Sequence, residues 1–457
     1  MRPVVVIDVV GLTPSLLGPD TPHLKKLAAE GFQAELGTVL PAVTCSAQAT
    51  LLTGLPPREH GIVGNGWYFR DQAEVWFWRQ SNRLVRGEKV WERCRARKPG
   101  FTCAKLFWWF NMHSSADISV TPRPNYFADG RKSPGLYTQP PELRDELEGD
   151  LGEFPLFDFW GPRAGIRSSR WIAKCARRIL ERRRPDLTLV YLPHLDYDLQ
   201  RFGLDHPSVP RALRDVDRQA GRVVEFARSK GMEVIVVSEY GINGVSDSVS
   251  INRVLRREKL LRVHRAQNGE LLDPGASRAF AVSDHQVAHV YVRDAADIPA
   301  VRRLLEATEG IEAVLDRDGQ LQFGLDHARS GELVAVARCD RWFDYYYWLD
   351  DAAAPDFART VDIHRKPGYD PCELFLDPGK RLIKPRIALK LLRKALGMRY
   401  LMDVIPLDSR LVRGSHGRLP ANPGEGPVLI SSSRKQRVAR LEMAEVSKLI
   451  EEMVFGG

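Results

Sequence analysis

Nowhere does the chain hold an uninterrupted apolar run of about 18 residues, so it offers no candidate for a bilayer-spanning helix. C-x-x-C spacing is missing too. The six cysteines stand at 45, 94, 103, 175, 339 and 372, which excludes a paired-cysteine metal knuckle and argues against a disulfide framework. Reduced, mostly buried thiols in a cytoplasmic protein are the expectation, and Asp8 interrupts the apolar start MRPVVVIDVVGL, so no signal peptide is expected. Internal repeats and low-complexity tracts are absent, so neither a repeat array nor a long disordered linker organises the chain. The two basic runs, RRILERRRP (177–185) and KRLIKPRIALKLLRKALGMR (380–399), lack the interleaved aromatics of a single-strand-binding groove. Nucleic acid is therefore not an expected partner.

What is present describes a large globular protein. With 457 residues, 44% hydrophobic and 27% charged, the chain can bury a substantial core. A net charge of +9 points to an anionic partner such as a phosphate ester or a membrane surface. The run at 380–399 carries apolar residues at helical spacing, which suits a solvated helix face or peripheral contact with a membrane. β-Branched runs at 3–10, 186–193, 231–240, 288–294, 332–338 and 426–433 alternate with helical patterns at 21–31, 46–54, 169–184, 210–231, 298–310 and 442–453. That alternation predicts an α/β fold with a largely parallel central sheet and helices on both faces. A single domain over 1–457 is expected, with an aromatic insertion or cap at 70–165 and an irregular insertion carrying the basic helix at 340–425.

In such sheets functional groups gather beyond the carboxyl ends of the strands. Asp8 ends the first run, Thr44 stands at a strand-to-helix turn, His194 and Asp196 follow DLTLVYLP, and Glu239 and Tyr240 close GMEVIVVSEY. His416 precedes the last strand and His364 lies in VDIHRKPGYD. Taken one at a time each has an ordinary role: Thr44 as a helix N-cap, an aspartate as a turn cap, a histidine as a satisfied core or surface residue. Taken together they offer carboxylates and imidazoles suited to Zn²⁺ or Mn²⁺, and a metal beside Thr44 would make its hydroxyl a nucleophile.

Asp8, PAVTCSAQATLLTGLPPREHGIVGN (41–65), PHLDYDLQRFG, VVSEYG and the late GSHG together resemble the nucleotide pyrophosphatase/phosphodiesterase branch of the alkaline phosphatase superfamily. The resemblance implies an alkaline-phosphatase-like fold and a metal-dependent hydrolase of a phosphodiester, pyrophosphate or phosphomonoester, acting through a phospho-threonine intermediate. It makes Thr44 the nucleophile and Asn65 the partner of a non-bridging oxygen, and leaves His60 structural. One metal would be held by Asp8, Thr44 and Glu239, and another by Asp196, His416 and His364, with His285 the second choice for a missing imidazole. Two positions depart from the family pattern: Gln200 replaces a histidine four residues after Asp196, and Glu239-Tyr240 replaces an Asp-His pair. Both replacements weaken a two-zinc site, and Arg365, Lys366 and Arg418 then become alternative sources of positive charge. The aromatic insertion would shape a leaving-group pocket. A phosphonate or sugar-phosphate enzyme, or a metal-depleted binding protein on the same fold, are the competing readings.

Overall fold

A computed structural model describes residues 1–128 and 131–456. Its centre is a nine-stranded sheet in the order Arg440–Glu442, Phe32–Gly37, Val428–Ser431, Glu233–Val237, Val4–Val9, Leu187–Leu192, Cys103–Leu106, Ile118–Pro122 and Leu136–Gln139. Five of the eight strand pairings are parallel and three are antiparallel. Every residue of the Val4–Val9 and Leu187–Leu192 strands is buried. Strands of this kind are covered on both faces and read as continuous apolar runs.

One helix layer consists of Pro22–Glu30, Ile166–Arg182 and Val209–Ser229, which pack on one another and on the central strands. A second layer consists of Thr44–Thr53, Val90–Arg97 and Val446–Phe455. Because Val4–Val9 runs parallel to Leu187–Leu192 and Glu233–Val237, the segments after these three strands leave the sheet at the same edge. Asp8, Asp196 and Glu239 are thereby brought together. The first strand must turn where Asp196, Leu199 and Ile242 crowd in, and Gly11 does so at φ 78°, a left-handed conformation that suits glycine.

Two runs expected in the central sheet lie elsewhere. Val287–Val292 and Leu333–Ala337 belong to a separate four-stranded antiparallel sheet, ordered Ala279–Asp284, Val287–Val292, Leu333–Ala337, Ile311–Leu315. A strand buried on both faces has the same apolar pattern in either setting, so the sequence does not distinguish them. The stretch 70–165 is likewise more than a cap, because it supplies the strands Cys103–Leu106, Ile118–Pro122 and Leu136–Gln139 to one side of the main sheet. The expected basic helix forms at Ile383–Ala395.

The second core holds Phe343, Tyr345, Tyr346, Tyr347 and Trp348 with the antiparallel sheet. Beside it Lys366 is 1% exposed and lies 2.7 Å from both Asp370 and Glu373. It is therefore a structural ion pair at the base of the loop that carries Tyr369, and not a charge offered to a ligand. Replacing it as Lys366→Met would strand two buried carboxylates, and the expected loss is about 3–5 kcal/mol of stability in a guanidinium titration. An unchanged midpoint would refute that assignment.

Candidate active site

Helix Thr44–Thr53 is buried along its whole length. Thr44 is its first residue, and the cap position belongs to Val43, with no side-chain cap bond. The Thr44 hydroxyl is thus not used to cap its own helix. It lies 3.2 Å from the Tyr240 hydroxyl, which also reaches Asp196 Oδ1 at 3.4 Å. One turn along the same helix face, Gln48 donates from Nε2 to Glu239 Oε1 at 2.6 Å and to Asp8 Oδ2 at 3.3 Å. Gln48 Oε1 accepts the Trp109 N–H at 2.7 Å, which fixes the amide's orientation.

Asp8 and Glu239 are fully buried, and each keeps one carboxylate oxygen without a partner, Asp8 Oδ1 and Glu239 Oε2. Burial first, and each other's charge second, hold the Asp8 carboxyl well above the ordinary range; burial also raises Glu239. Asp196 is pushed up to about 7, mainly by burial. Gln200 Nε2 donates to Asp196 Oδ2 at 2.7 Å, and Gln200 Oε1 accepts from the Tyr369 hydroxyl at 2.8 Å. Neutral hydrogen-bonding groups thus fill the two positions where the resemblance implies imidazoles.

His416 sits in a stack of four rings. Tyr240 covers one side at 3.5 Å and His285 the other at 3.6 Å, and Tyr369 lies against His285 at 3.6 Å. His416 Nδ1 lies 2.8 Å from the Ala42 carbonyl, so this nitrogen is assigned the proton; Nε2 has no hydrogen-bond partner and is 3.9 Å from Asp196 Oδ1. Burial lowers His416 to about 3 and holds His285 well below the ordinary imidazole range, which favours the neutral form of both rings. The stack is anchored by the backbone, since the Gln286 N–H donates to the His416 carbonyl and the Ala42 N–H to the Gly417 carbonyl, each at 2.8 Å. His285 occupies the turn between two antiparallel strands at φ 62°, a region histidine tolerates better than most residues.

Asn65 is held on three sides. Its Oδ1 accepts the Cys45 N–H at 3.0 Å, its Nδ2 donates to Asp284 Oδ1 at 3.0 Å, and its backbone N–H donates to Asp284 Oδ2 at 2.7 Å. Burial pushes Asp284 up to about 7. Above the site Trp78 and Trp109 lie 4.7 Å apart, and Trp78 reaches Tyr369 at 6.1 Å.

The expected site residues are therefore only partly assembled. Asp8, Thr44, Glu239, Asp196 and His416 share one neighbourhood, but among the described residues no three His, Cys, Asp or Glu side chains gather as a metal cradle. His364 does not join them: its electrostatic neighbours are Lys132, Asp362, Arg79 and the Phe77 backbone, and His285 is the imidazole that packs on His416. The His194 ring responds chiefly to Asp198 and Asp215 among charged groups. Neither Arg365 nor Arg418 is a free charge, because Arg365 pairs with Asp362 and Arg418 with Glu312. His60 bonds Thr50 and the Ile62 N–H inside the core. Sequence reasoning missed Gln48, Asp284 and Tyr369. For Gln48 a signal existed, since it stands four residues after Thr44 and so on the same helix face.

A family model described as Type I phosphodiesterase / nucleotide pyrophosphatase matches residues 4–370. The chain belongs to this family. A curated relative, an uncharacterized pyrophosphatase/phosphodiesterase of Schizosaccharomyces pombe, is 24% identical over 239 residues, 50% of this chain and 42% of its own. The match thus spans less than half the length of that relative. Two solved structures share the fold across nearly the whole chain. Phosphonoacetate hydrolase from Sinorhizobium meliloti 1021, in complex with phosphonoacetate, has a TM-score of 0.64 at 15% identity, covering 99% of this chain and 96% of that one. An inactive threonine-to-alanine variant of murine ectonucleotide pyrophosphatase/phosphodiesterase 5, in complex with AMP, has 0.60 at 14%, covering 100% and 95%.

Asp284 yields a pH prediction. Its folded pKa of about 7 lies above the ordinary 3.8, so the folded state binds the extra proton between those values. The stabilisation is fully present below the lower value and is lost as pH rises through the upper one. The melting temperature of metal-free protein is expected to fall as pH is raised from about 4 to about 8, and Asp284→Asn to flatten part of that fall. A variant whose profile superimposes on the parent's would refute this role.

Proposed function

We propose that the chain hydrolyses phosphate esters, with Thr44 as nucleophile and Asn65 as the donor to a non-bridging phosphoryl oxygen. The observation that carries the reading is the Thr44 hydroxyl, unused by its own helix and set beside Tyr240, among buried carboxylates. Family membership supports a phosphodiester or pyrophosphate substrate, with a phosphomonoester as the smaller variant. The complexes of the two structural neighbours, with AMP and with phosphonoacetate, support a small phosphorus-bearing anion.

Thr44 Oγ1 attacks phosphorus in line, and its proton passes to Tyr240, whose hydroxyl hands its own to Asp196 Oδ1. The leaving oxygen departs as an oxyanion that takes its proton from solvent, and water then attacks the phosphothreonine, breaking its P–O bond and returning a proton to the Thr44 oxygen as phosphate leaves. The start of helix Thr44–Thr53 directs backbone N–H groups and the positive end of its dipole at the incoming anion. Asn65, its Oδ1 tied to the Cys45 N–H and one Nδ2 proton to Asp284, keeps a second Nδ2 proton for the oxygen on which charge develops. Trp78 and Trp109 form an apolar wall against which a leaving group can pack.

The donor set also fits one divalent cation at Asp8, Glu239 and Thr44, because Asp8 Oδ1 and Glu239 Oε2 are buried and unpartnered. An all-oxygen set suits Mg²⁺ or Mn²⁺ better than Zn²⁺. Bound there, the cation would supply positive charge beside the phosphoryl oxygens and lower the pKa of the hydroxyl. Beside Asp196 and His416 stand Gln200 and Tyr240, poor metal ligands, and the His285 ring, which packs on His416 at 3.6 Å, so this set does not favour a second cation. The buried free cysteines support a reducing compartment.

Two measurements test this reading. Thr44→Ala is expected to lower kcat on a p-nitrophenyl phosphodiester by about 10³-fold or more while Thr44→Ser keeps part of it; undiminished turnover in the alanine variant sinks the nucleophile. Excess Mn²⁺ is expected to raise the melting temperature of the parent, with about 2.7 kcal/mol gained at a hundredfold excess over Kd, and to leave Asp8→Asn and Glu239→Gln unmoved. A parent indifferent to Mn²⁺, Mg²⁺ and Zn²⁺ would rule out the cation.

A further inference from the structure

The basic helix Ile383–Ala395 turns Ile383 and Ile387 toward a small core that includes Val404 and Ile405, and buries no residue fully. Its outward side is unusual for a soluble surface. Leu382, Leu389, Leu392 and Leu396 are 76%, 54%, 55% and 65% exposed, and Met398 and Leu401 continue the patch beyond the helix. Arg386, Leu389, Arg393 and Leu396 follow the three-four spacing of one helix stripe, so apolar and cationic side chains alternate along it, and Leu382 stands exposed just before the helix.

The charge is one-sided. Residues 380–399 contain eight Lys or Arg and no Asp or Glu. Lys380 and Lys390 share the single carboxylate of Asp403. Among the described residues no carboxylate pairs with Arg386 or Arg393. These two arginines, with Leu389, border a cavity of about 240 Å³ between the helix and Val404.

We propose that this face docks on a bilayer rich in anionic phospholipids, with the helix lying in the interfacial plane. The exposed leucines enter the acyl boundary, while Arg386 and Arg393 extend their aliphatic stems along it and place their guanidinium groups on lipid phosphates. Charge complementarity selects this occupant. A second copy of the chain would set like charge against like charge. Nucleic acid would neutralise the arginines but leave the leucines in water, and no aromatic alternates with them to stack on bases. The inference is independent of the chemistry proposed for Thr44, which lies elsewhere on the molecule's sheet edge.

Flotation of the full chain with vesicles tests it. On vesicles of phosphatidylcholine with about one-third phosphatidylglycerol, the bound fraction is expected to be at least tenfold above that on phosphatidylcholine alone, and to fall as salt shortens the screening length. Two variants with parental melting temperature, Leu389→Ser/Leu392→Ser/Leu396→Ser and Arg386→Glu/Arg393→Glu, are each expected to lose that binding. Equal flotation on both vesicle types, none on either, or retention by the arginine variant would overturn the proposal. So would a parental dimer in sedimentation velocity that the leucine variant dissociates, because the face would then belong to a second copy.

Discussion

The arrangement depends on carboxyl groups placed inside the protein with, among the described residues, no buried cation paired to them. Asp8, Glu239 and Asp196 converge because three adjacent parallel strands end together, and each carboxyl is almost or entirely buried. The nearby candidates for positive charge are committed elsewhere: Lys366 to Asp370 and Glu373, Arg418 to Glu312. Lys105, also buried, donates to the carbonyls of Trp109 and Phe110, and burial lowers it to about 7. What answers the carboxylates is a set of neutral donors, Gln48, Gln200 and Tyr240. An amide donor offsets much less than a full charge, so the interior favours either a proton or a bound cation at this point. Both outcomes suit phosphoryl transfer, where dianionic character must be neutralised.

The antiparallel sheet gives this centre its shape. Its first turn delivers two side chains in succession: Asp284 grips Asn65 through backbone and side chain, and His285 enters the ring stack over His416. A single shift of register would turn one of them away. The backbone bonds from Gln286 to His416, and from Ala42 to Gly417, connect this turn to the segment leading into helix Thr44–Thr53. Thr44, Asn65 and His416 therefore share one rigid support, although His416 stands hundreds of residues from the other two. Precision of this kind matters because small misplacements of reacting groups are costly.

Much of this was legible in the sequence. The apolar runs at 3–10, 186–193 and 231–240 contain the central strands Val4–Val9, Leu187–Leu192 and Glu233–Val237, with ends off by at most three residues, and the turn at 41–65 singles out Thr44 and Asn65, on which the proposed function rests. The family follows from the same stretch. Other parts were not legible for definite reasons. A run buried on both faces does not reveal whether its neighbours are parallel, so the runs 288–294 and 332–338 read as central strands although Val287–Val292 and Leu333–Ala337 belong to the antiparallel sheet. His364 and His285 both lie in turns, and only the register of the hairpin around His285 brings that ring to His416. Asp284 is silent in sequence because its role is to hold another residue across 219 positions.

The replacements at 200 and 240 are better understood as a neutral framework than as damage to a metal centre. Gln200 spans Asp196 and Tyr369 with both ends of its amide satisfied, and Tyr240 spans Thr44 and Asp196 while stacking on His416. A site that had merely lost ligands would leave buried polar atoms unpaired at the vacated positions. Here Gln200 and Tyr240 are themselves satisfied, and the unpartnered buried atoms around them are Asp8 Oδ1, Glu239 Oε2, His416 Nε2 and His285 Nδ1. On the function proposed, positive charge is needed on the Asp8 and Glu239 side, while on the Asp196 side a phenol can accept a proton from the threonine as it gives its own to the carboxylate. The two halves of the cluster then divide the work, one stabilising charge and the other receiving the proton that the nucleophile must lose.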